Sequence, residues 1–137
     1  MQIKQLKSER ELKKAFEVLK ELRNKLTFNE FLELSKKTEK YKMFGLYDNN
    51  KLVAFAGIGI LTNLYHKKHL YVYDLVTKSE CRNMGFGKQL MGFLENLGKK
   101  EKCEKIVLSS RLERTDAHRF YENFGMRKKS YTFIKEI

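Results

Sequence analysis

Apolar positions recur every three or four residues along the first third of the chain, and this spacing predicts two amphipathic helices. The first follows a short strand at 3–6, has Ser8 as its N-cap and carries Leu12 and Phe16 on its apolar face. The second covers residues 28–36. The chain therefore begins with one strand and a pair of helices that each need an apolar surface to cover.

The pattern in the middle of the chain is typical of strands. Residues 41–47 and 52–63 flank the turn tripeptide Asp48-Asn49-Asn50, which predicts an antiparallel hairpin. Residues 69–77, rich in Val and Tyr, predict a further strand. The sequence has no proline and no Gly/Ser-rich linker, so we expect a single domain over residues 1–137.

Helix and strand patterns alternate in the last third. An apolar helical stripe closes at Gly98 and is followed by a strand at 105–110, so the order strand, helix, strand predicts a right-handed crossover and a parallel pair. A last helix starts near Thr115 and ends at Gly125, and residues 131–137 predict a closing strand. The predicted fold class is α/β: a mixed, mainly antiparallel sheet with helices on both faces and one parallel strand pair joined by a βαβ crossover.

Charge and composition narrow the class of protein. The formal net charge of +12 predicts attraction to polyanions such as nucleic acid or a phosphorylated cofactor, although scattered surface lysines explain it equally well. The longest apolar run, at 52–61, is shorter than the roughly 20 residues that span a bilayer, and the N-terminus is polar, so we expect a cytoplasmic protein without a membrane partner. Cys81 and Cys103 lack the partners of a metal site, so no metal is expected.

The segment Arg82-Asn83-Met84-Gly85-Phe86-Gly87-Lys88 lies between a strand and a helix. The N–H groups at a helix start attract anions, and glycines let an anion approach the backbone closely, so this loop is a candidate pyrophosphate site. A P-loop would need Ser or Thr at Gln89, and the dinucleotide fingerprint would need Gly or Ala at Leu90, so neither motif is present. A turn without a ligand is the alternative.

Two segments together resemble a known family. The run Asp74-Leu75-Val76-Thr77 followed by Arg82-x-x-Gly85-x-Gly87 resembles the central acyl-CoA motif of the GNAT superfamily of N-acyltransferases. Residues 117–126, with their Ala-x-x-Phe-Tyr segment followed by Gly and Met, are similar to the second signature of that family. The resemblance implies a GNAT fold, acetyl-CoA as co-substrate and direct transfer of the acetyl group to an amine.

The resemblance also implies the contacts with the cofactor. Backbone groups of the strand Leu75-Val76-Thr77, splayed from its neighbour, would bind the pantetheine arm and the thioester carbonyl. Many members have Pro at Ser79, Gly at Asn83 and Asn at Arg114; the first two departures leave backbone phosphate ligands intact. The predicted cofactor-binding residues are Leu75, Val76, Thr77, Arg82, Asn83, Met84, Gly85, Phe86, Gly87 and Lys88.

Acyl transfer needs a deprotonated amine and a proton for the departing thiolate. By resemblance, Tyr121 lies near the cofactor sulfur and is the predicted catalytic acid, although its helical spacing also fits a core tyrosine. Asp74, the second predicted catalytic residue, either deprotonates or orients the ammonium, or else caps a helix or pairs with a Lys. The residues His69, Tyr71 and Tyr73 are candidates for a base acting through water.

The resemblance implies an N-acetyltransferase whose acceptor is a small-molecule or peptide amine, and it implies that the acceptor pocket is built largely from residues 22–41. One alternative is a basic member of the family that acetylates an amine linked to tRNA or another nucleic acid. Another is a non-catalytic module that binds acyl-CoA or nucleic acid, although no RNP-like, zinc-finger or KH signature is present. A homodimer is the expected assembly.

Overall fold

The computed structural model describes residues 1–137 and divides into two compact units, Met1–Val107 and Leu108–Ile137. The first unit holds five strands and three of the four α-helices. Its elements are β1 (Gln2–Leu6), α1 (Glu9–Leu19), α2 (Phe28–Lys37), β2 (Lys42–Asp48), β3 (Lys51–Asn63), β4 (Lys67–Thr77), α3 (Phe86–Lys100) and β5 (Lys105–Val107). The second unit holds α4 (Thr115–Asn123). None of the helices combines the length and apolar character needed to span a membrane.

The five strands form one sheet in the order β1-β2-β3-β4-β5. The first four pair antiparallel, and β4 pairs with β5 in parallel after the α3 crossover. The hairpin between β2 and β3 turns at Asn49 and Asn50, which both have positive φ angles, as tight hairpin turns require. The predicted mixed α/β sheet with one parallel pair is confirmed.

Helices cover both faces of this sheet. Phe55 packs with α1 and α2 in a core that also holds Leu6, Ala15, Val18, Leu19, Phe31, Leu52 and Val76. Phe44 contacts Phe93 of α3, with ring centroids 5.2 Å apart. Phe44 pairs with Ala56, the neighbour of Phe55, so alternation along the strand puts the two clusters on opposite faces. Each face therefore buries its own set of apolar side chains.

The predicted end of α3 at Gly98 is wrong, because the helix continues to Lys100. Gly98 is buried inside the helix, and a Cβ there would lie 3.8 Å from side-chain atoms of Leu70 and Cys103, an ordinary van der Waals distance. The turn is made instead by Lys102, which has a φ of 62°. The strand predicted at 105–110 is also shorter than expected and ends at Val107.

In the second unit, α4 ends as the sequence predicts. Gly125 has a φ of 97°, and the N–H of Met126 donates to the carbonyl of Tyr121 at 3.0 Å, as in a Schellman motif. The predicted closing strand at 131–137 is wrong. A strand needs a hydrogen-bonded neighbour, and this segment pairs with none, so Tyr131, Phe133 and Ile134 stay 78–92% exposed.

Candidate active site

The end of β4 has one sheet neighbour instead of two. β5 pairs with β4 only from His69 to Tyr71, and β3 continues alongside as far as Thr77. Because β5 ends at Val107, the strand divergence that the family resemblance implies stays a prediction. On the side away from β3, Leu75-Val76-Thr77 have no pairing with β5, so their backbone groups on that side are not used by the parallel pair.

The predicted phosphate loop leads from a short 3₁₀ turn, Ser79–Cys81, into α3. Asn83 and Gly85 have φ angles of 64° and 85°, and the helix begins at Gly85 without a side-chain cap or an acidic residue in its first turn. The first N–H groups of a helix have no carbonyl partner within it. A Cβ built on Gly85 would meet nothing within 4 Å, so the space beside this helix start is open. These features fit a pyrophosphate.

Both basic side chains of the loop are exposed, and Arg82 is held in place by its neighbours. Its Nε donates to the carbonyl of Thr77 at 3.2 Å, and its Nη2 lies 3.8 Å from Oε1 of Glu21. The same Oε1 accepts the backbone N–H of Ser79 at 2.9 Å. Glu21, in the turn after α1, therefore supports the entry to the phosphate loop, a role that the sequence analysis missed.

Asp74 has partners on both carboxylate oxygens. Oδ1 accepts from Nε and Nη2 of Arg23 at 2.9 and 2.8 Å, and Oδ2 accepts from the hydroxyl of Tyr41 at 2.7 Å. Arg23 also donates to the carbonyl of Tyr73 at 3.1 Å. Burial, and next the Asp74 carboxylate, raise the pKa of Tyr41 far above its usual range, so this phenol remains a donor. The cation paired with Asp74 is thus an Arg rather than a Lys.

This arrangement depends on Gly57, which lies opposite Asp74 in β3. A Cβ on Gly57 would overlap the hydroxyl and ring of Tyr41. The register of β3 and β4 also shifts immediately after this pair, leaving Tyr73 as the additional residue of a β-bulge. The missing side chain at Gly57 is therefore what lets Tyr41 reach Asp74.

Asp74, Arg23 and Tyr41 line a cavity of about 200 Å³. The rest of its wall is mostly apolar and comes from α1, α2 and the segment between them: Leu19, Leu26, Phe31, Leu34 and Ser35. The cavity lies in the region that the sequence predicts for the acceptor. A polar group of three side chains in an apolar cavity is the usual composition of a small-molecule site.

The candidate bases on β4 lie in different environments. Tyr73 is close to the Asp74 group, because its ring centroid is 5.5 Å from that of Tyr41 and 4.9 Å from that of Tyr71. His69 is only 2% exposed, and its Nδ1 donates to the carbonyl of Lys67 at 2.8 Å. Tyr73 therefore lies against Tyr41, which lines the candidate acceptor cavity, and none of the three candidate bases lines the cavity itself.

Tyr121 belongs to the second unit, on α4. Its ring contacts Phe120 with centroids 5.4 Å apart. Burial raises the pKa of its phenol, and the nearby Arg114 guanidinium partly opposes that rise. The side chain is accordingly neutral at physiological pH and holds a proton to donate. No group of three or more His, Cys, Asp or Glu side chains is arranged to hold a metal ion.

Comparison with known proteins gives consistent matches over most of the chain. A sequence model of the Acetyltransferase (GNAT) family matches residues 6–126. The chain is 35% identical over 139 residues to the uncharacterized N-acetyltransferase YhdJ of Bacillus subtilis (strain 168), with 98% of each covered. It is 27% identical over 90 residues to the aminoalkylphosphonate N-acetyltransferase of Salmonella typhimurium (strain LT2), covering 65% of this chain and 58% of that protein.

A solved structure supports the fold. AAC(6')-Iy in complex with the bisubstrate analogue CoA-S-monomethyl-acetylneamine has a TM-score of 0.85 to this chain at 15% identity, with 99% of this chain and 97% of that chain covered. At this level of identity the similarity establishes the architecture, and the chemistry of the site must come from the residues of this chain.

Proposed function

The chain belongs to the GNAT acetyltransferase family and is an acyl-CoA-dependent N-acetyltransferase, and we propose that it moves the acetyl group of acetyl-CoA directly to the amine of a small molecule. The observation that carries this proposal is the start of α3, which has no side-chain cap, together with the end of β4, which does not pair with β5. The Salmonella relative is named for aminoalkylphosphonates, which are small amines, and this supports a small acceptor.

We assign the cofactor to the loop and strand described above. The N–H groups at the start of α3 would bind the pyrophosphate, with Arg82 and Lys88 adding positive charge. Backbone groups of Leu75-Val76-Thr77 would bind the pantetheine arm, since their edge is not paired with β5. When bound, acetyl-CoA supplies the activated acetyl thioester.

We assign the acceptor amine to the cavity beside Asp74. Because Arg23 and Tyr41 already bind both oxygens of Asp74, its contacts favour orienting the amine over removing its proton. The apolar wall around it suits the carbon skeleton of a small molecule. A cytoplasmic location and a homodimer stay predictions from the sequence.

We assign the proton donor to Tyr121. In the transfer, the amine nitrogen forms a bond to the acetyl carbon, the carbon–sulfur bond breaks, and the thiolate of CoA takes a proton as the amine loses one. A phenol with a raised pKa keeps its proton until the thiolate forms. The support for this role is the similarity of residues 117–126 to the second family signature, together with a phenol that is protonated at physiological pH.

The test combines a binding and a rate measurement on the purified protein. Calorimetry with acetyl-CoA should show saturable binding that the double substitution Gly85→Asp/Gly87→Asp abolishes. Release of CoA thiol in a panel of small amines should then identify acceptors. No binding of acetyl-CoA at low salt would overturn the assignment of the cofactor.

The role of Tyr121 has its own variant. We expect Tyr121→Phe to lower kcat by roughly 100-fold, the scale of general acid catalysis, and to leave the Kd of acetyl-CoA unchanged. Tyr131→Phe is the matched control, because Tyr131 is an exposed tyrosine of the same unit. An unchanged kcat in Tyr121→Phe would show that the phenol is not the acid.

A further inference from the structure

A second and larger cavity adjoins the one beside Asp74. It has a volume of about 490 Å³, and Ser35 and Tyr41 line both cavities. Its wall comes from the end of β1, from α1, from the end of α2 and from the start of β2: Gln5, Leu6, Lys7, Leu12, Leu32, Lys36, Thr38, Lys40, Lys42 and Met43. Ser35 and Tyr41 therefore form a wall that the two cavities share, and the hydroxyl of Tyr41 lies 2.7 Å from Oδ2 of Asp74.

The second cavity is strongly and uniformly basic. Four lysines line it, Lys7, Lys36, Lys40 and Lys42, and no Asp or Glu does. None of their ammonium groups makes an ion pair, whereas the adjacent Lys37 pairs with Glu33 at 3.0 Å on α2. The charge in this cavity is thus left uncompensated by the protein itself, while in the first cavity Arg23 and Asp74 balance each other.

The floor between these lysines is apolar. Leu6 is buried, and Leu12, Leu32 and Met43 are partly buried beside it. Such a surface suits an aliphatic chain, and the ammonium groups around it suit an anionic end group that is strongly hydrated in water, such as a phosphate. The two cavities together therefore match an amine at one end, a short alkyl spacer and an anion at the other.

We propose, on the basis of the acetyl transfer proposed above, that the acceptor is a small primary amine whose far end carries a phosphonate or phosphate dianion. The amine lies beside Asp74 and the dianion lies among the four lysines. A polycationic acceptor such as an aminoglycoside is disfavoured, because its charges would come to lie next to ammonium groups without a counter-ion.

The first experiment compares matched acceptors by release of CoA thiol. We expect kcat/KM to be about tenfold higher for 3-aminopropylphosphonate than for 3-amino-1-propanol, which has the same amine and spacer and no anionic group. A series with spacers of increasing length should show an optimum, because the two ends must reach separate cavities. Equal kcat/KM for the amine with the anionic group and the amine without it would overturn the inference.

The second experiment removes positive charges from the protein. Lys36→Gln/Lys42→Gln should raise KM for 3-aminopropylphosphonate about tenfold and leave KM for 3-amino-1-propanol unchanged. Lys13→Gln/Lys14→Gln removes the same charge from exposed positions of α1 outside the cavity and should change neither value. An equal loss in both double variants would show that the net charge of the protein, and not this cavity, attracts the anion.

Direct titration separates this inference from the proposed function. Calorimetry with 3-aminopropylphosphonate alone should show saturable binding that Lys36→Gln/Lys42→Gln weakens, whether or not acetyl-CoA binds. Failure of acetyl-CoA to bind would overturn the proposed function only. Binding of acetyl-CoA without binding of the phosphonate would overturn the acceptor class and leave the acetyl transfer intact.

Discussion

Side chains cap the N-termini of helices α1 and α2, whereas no side chain caps the N-terminus of α3. At the start of α1 the hydroxyl of Ser8 accepts the N–H of Glu11 at 3.1 Å, and the Glu11 carboxylate accepts the N–H of Ser8 at 3.0 Å. Thr27 and Glu30 repeat this capping box in α2. The first two helices thus have side-chain caps at their N-termini, whereas α3 has none.

Glu11 shows how strongly such N–H groups attract an anion. Hydrogen bonds from the backbone of Lys7 and Ser8 lower its pKa from 4.5 to about 2. In α3 the position of that glutamate, three residues after the N-cap, is taken by Lys88. The protein therefore supplies a carboxylate at the start of α1 and none at the start of α3, where we propose that the pyrophosphate of the cofactor binds.

The largest effect, a weaker binding of acetyl-CoA, is expected from placing a glutamate in the first turn of α3, as in α1. Lys88→Glu should weaken acetyl-CoA binding by about 2 kcal/mol, roughly 30-fold in Kd, because it places a negative charge where the pyrophosphate binds. Thermal stability should be unchanged or slightly higher, since a glutamate suits a helix start. Calorimetry and thermal unfolding measure the two effects. The control Lys100→Glu makes the same charge change at the other end of α3 and should leave Kd within about twofold.

A smaller effect is expected from changing the N-cap itself. Gly85→Ser introduces the cap residue of α1, but at a φ of 85° any side chain other than that of Asn or Asp is strained by about 1–2 kcal/mol. We expect this loss in the free energy of unfolding measured with urea. Gly85→Asn is the matched variant and should lose less than Gly85→Ser. Equal losses would mean that backbone strain is not the cause.

The smallest effect is expected from breaking the cap of α1. Glu11→Gln should lower the free energy of unfolding by about 1 kcal/mol at neutral pH and leave the Kd of acetyl-CoA unchanged. Because the folded pKa of Glu11 is depressed, its contribution is present above pH 4.5 and is lost as the pH falls to about 2. The unfolding curves of the two proteins should therefore converge over that range. A difference that persists at pH 2 would contradict this account.

The sequence was sufficient where the signal is local. The cap of α1, the glycine turn that leads into α3 and the glycine that ends α4 all depend on residues within a few positions of one another. The partners of Asp74 do not, because Arg23 is 51 residues away and Tyr41 is 33 residues away in the chain. No spacing rule connects such positions, and the ion pair appears only when the turn after α1 comes to lie beside β4.

Two of the wrong predictions concern residues 131–137 and Gly98. Residues 131–137 have strand-forming composition, but a strand also needs a neighbour, and the composition does not indicate whether one is present. Gly98 looks like a helix end, but α3 continues to Lys100, and the residue with a positive φ is Lys102. In the first case the outcome depends on a partner distant in sequence, and in the second a glycine misplaced the helix end by a few residues.

The contact between Gly57 and Tyr41 constrains the order in which the chain can change over evolutionary time. Alanine at 57 would overlap the Tyr41 ring, so it is tolerated only after residue 41 has become smaller. A smaller residue 41 gives up the hydrogen bond to Asp74 before any benefit at 57 appears. Loss of Gly57 is therefore expected only in descendants of this sequence that have already lost Tyr41.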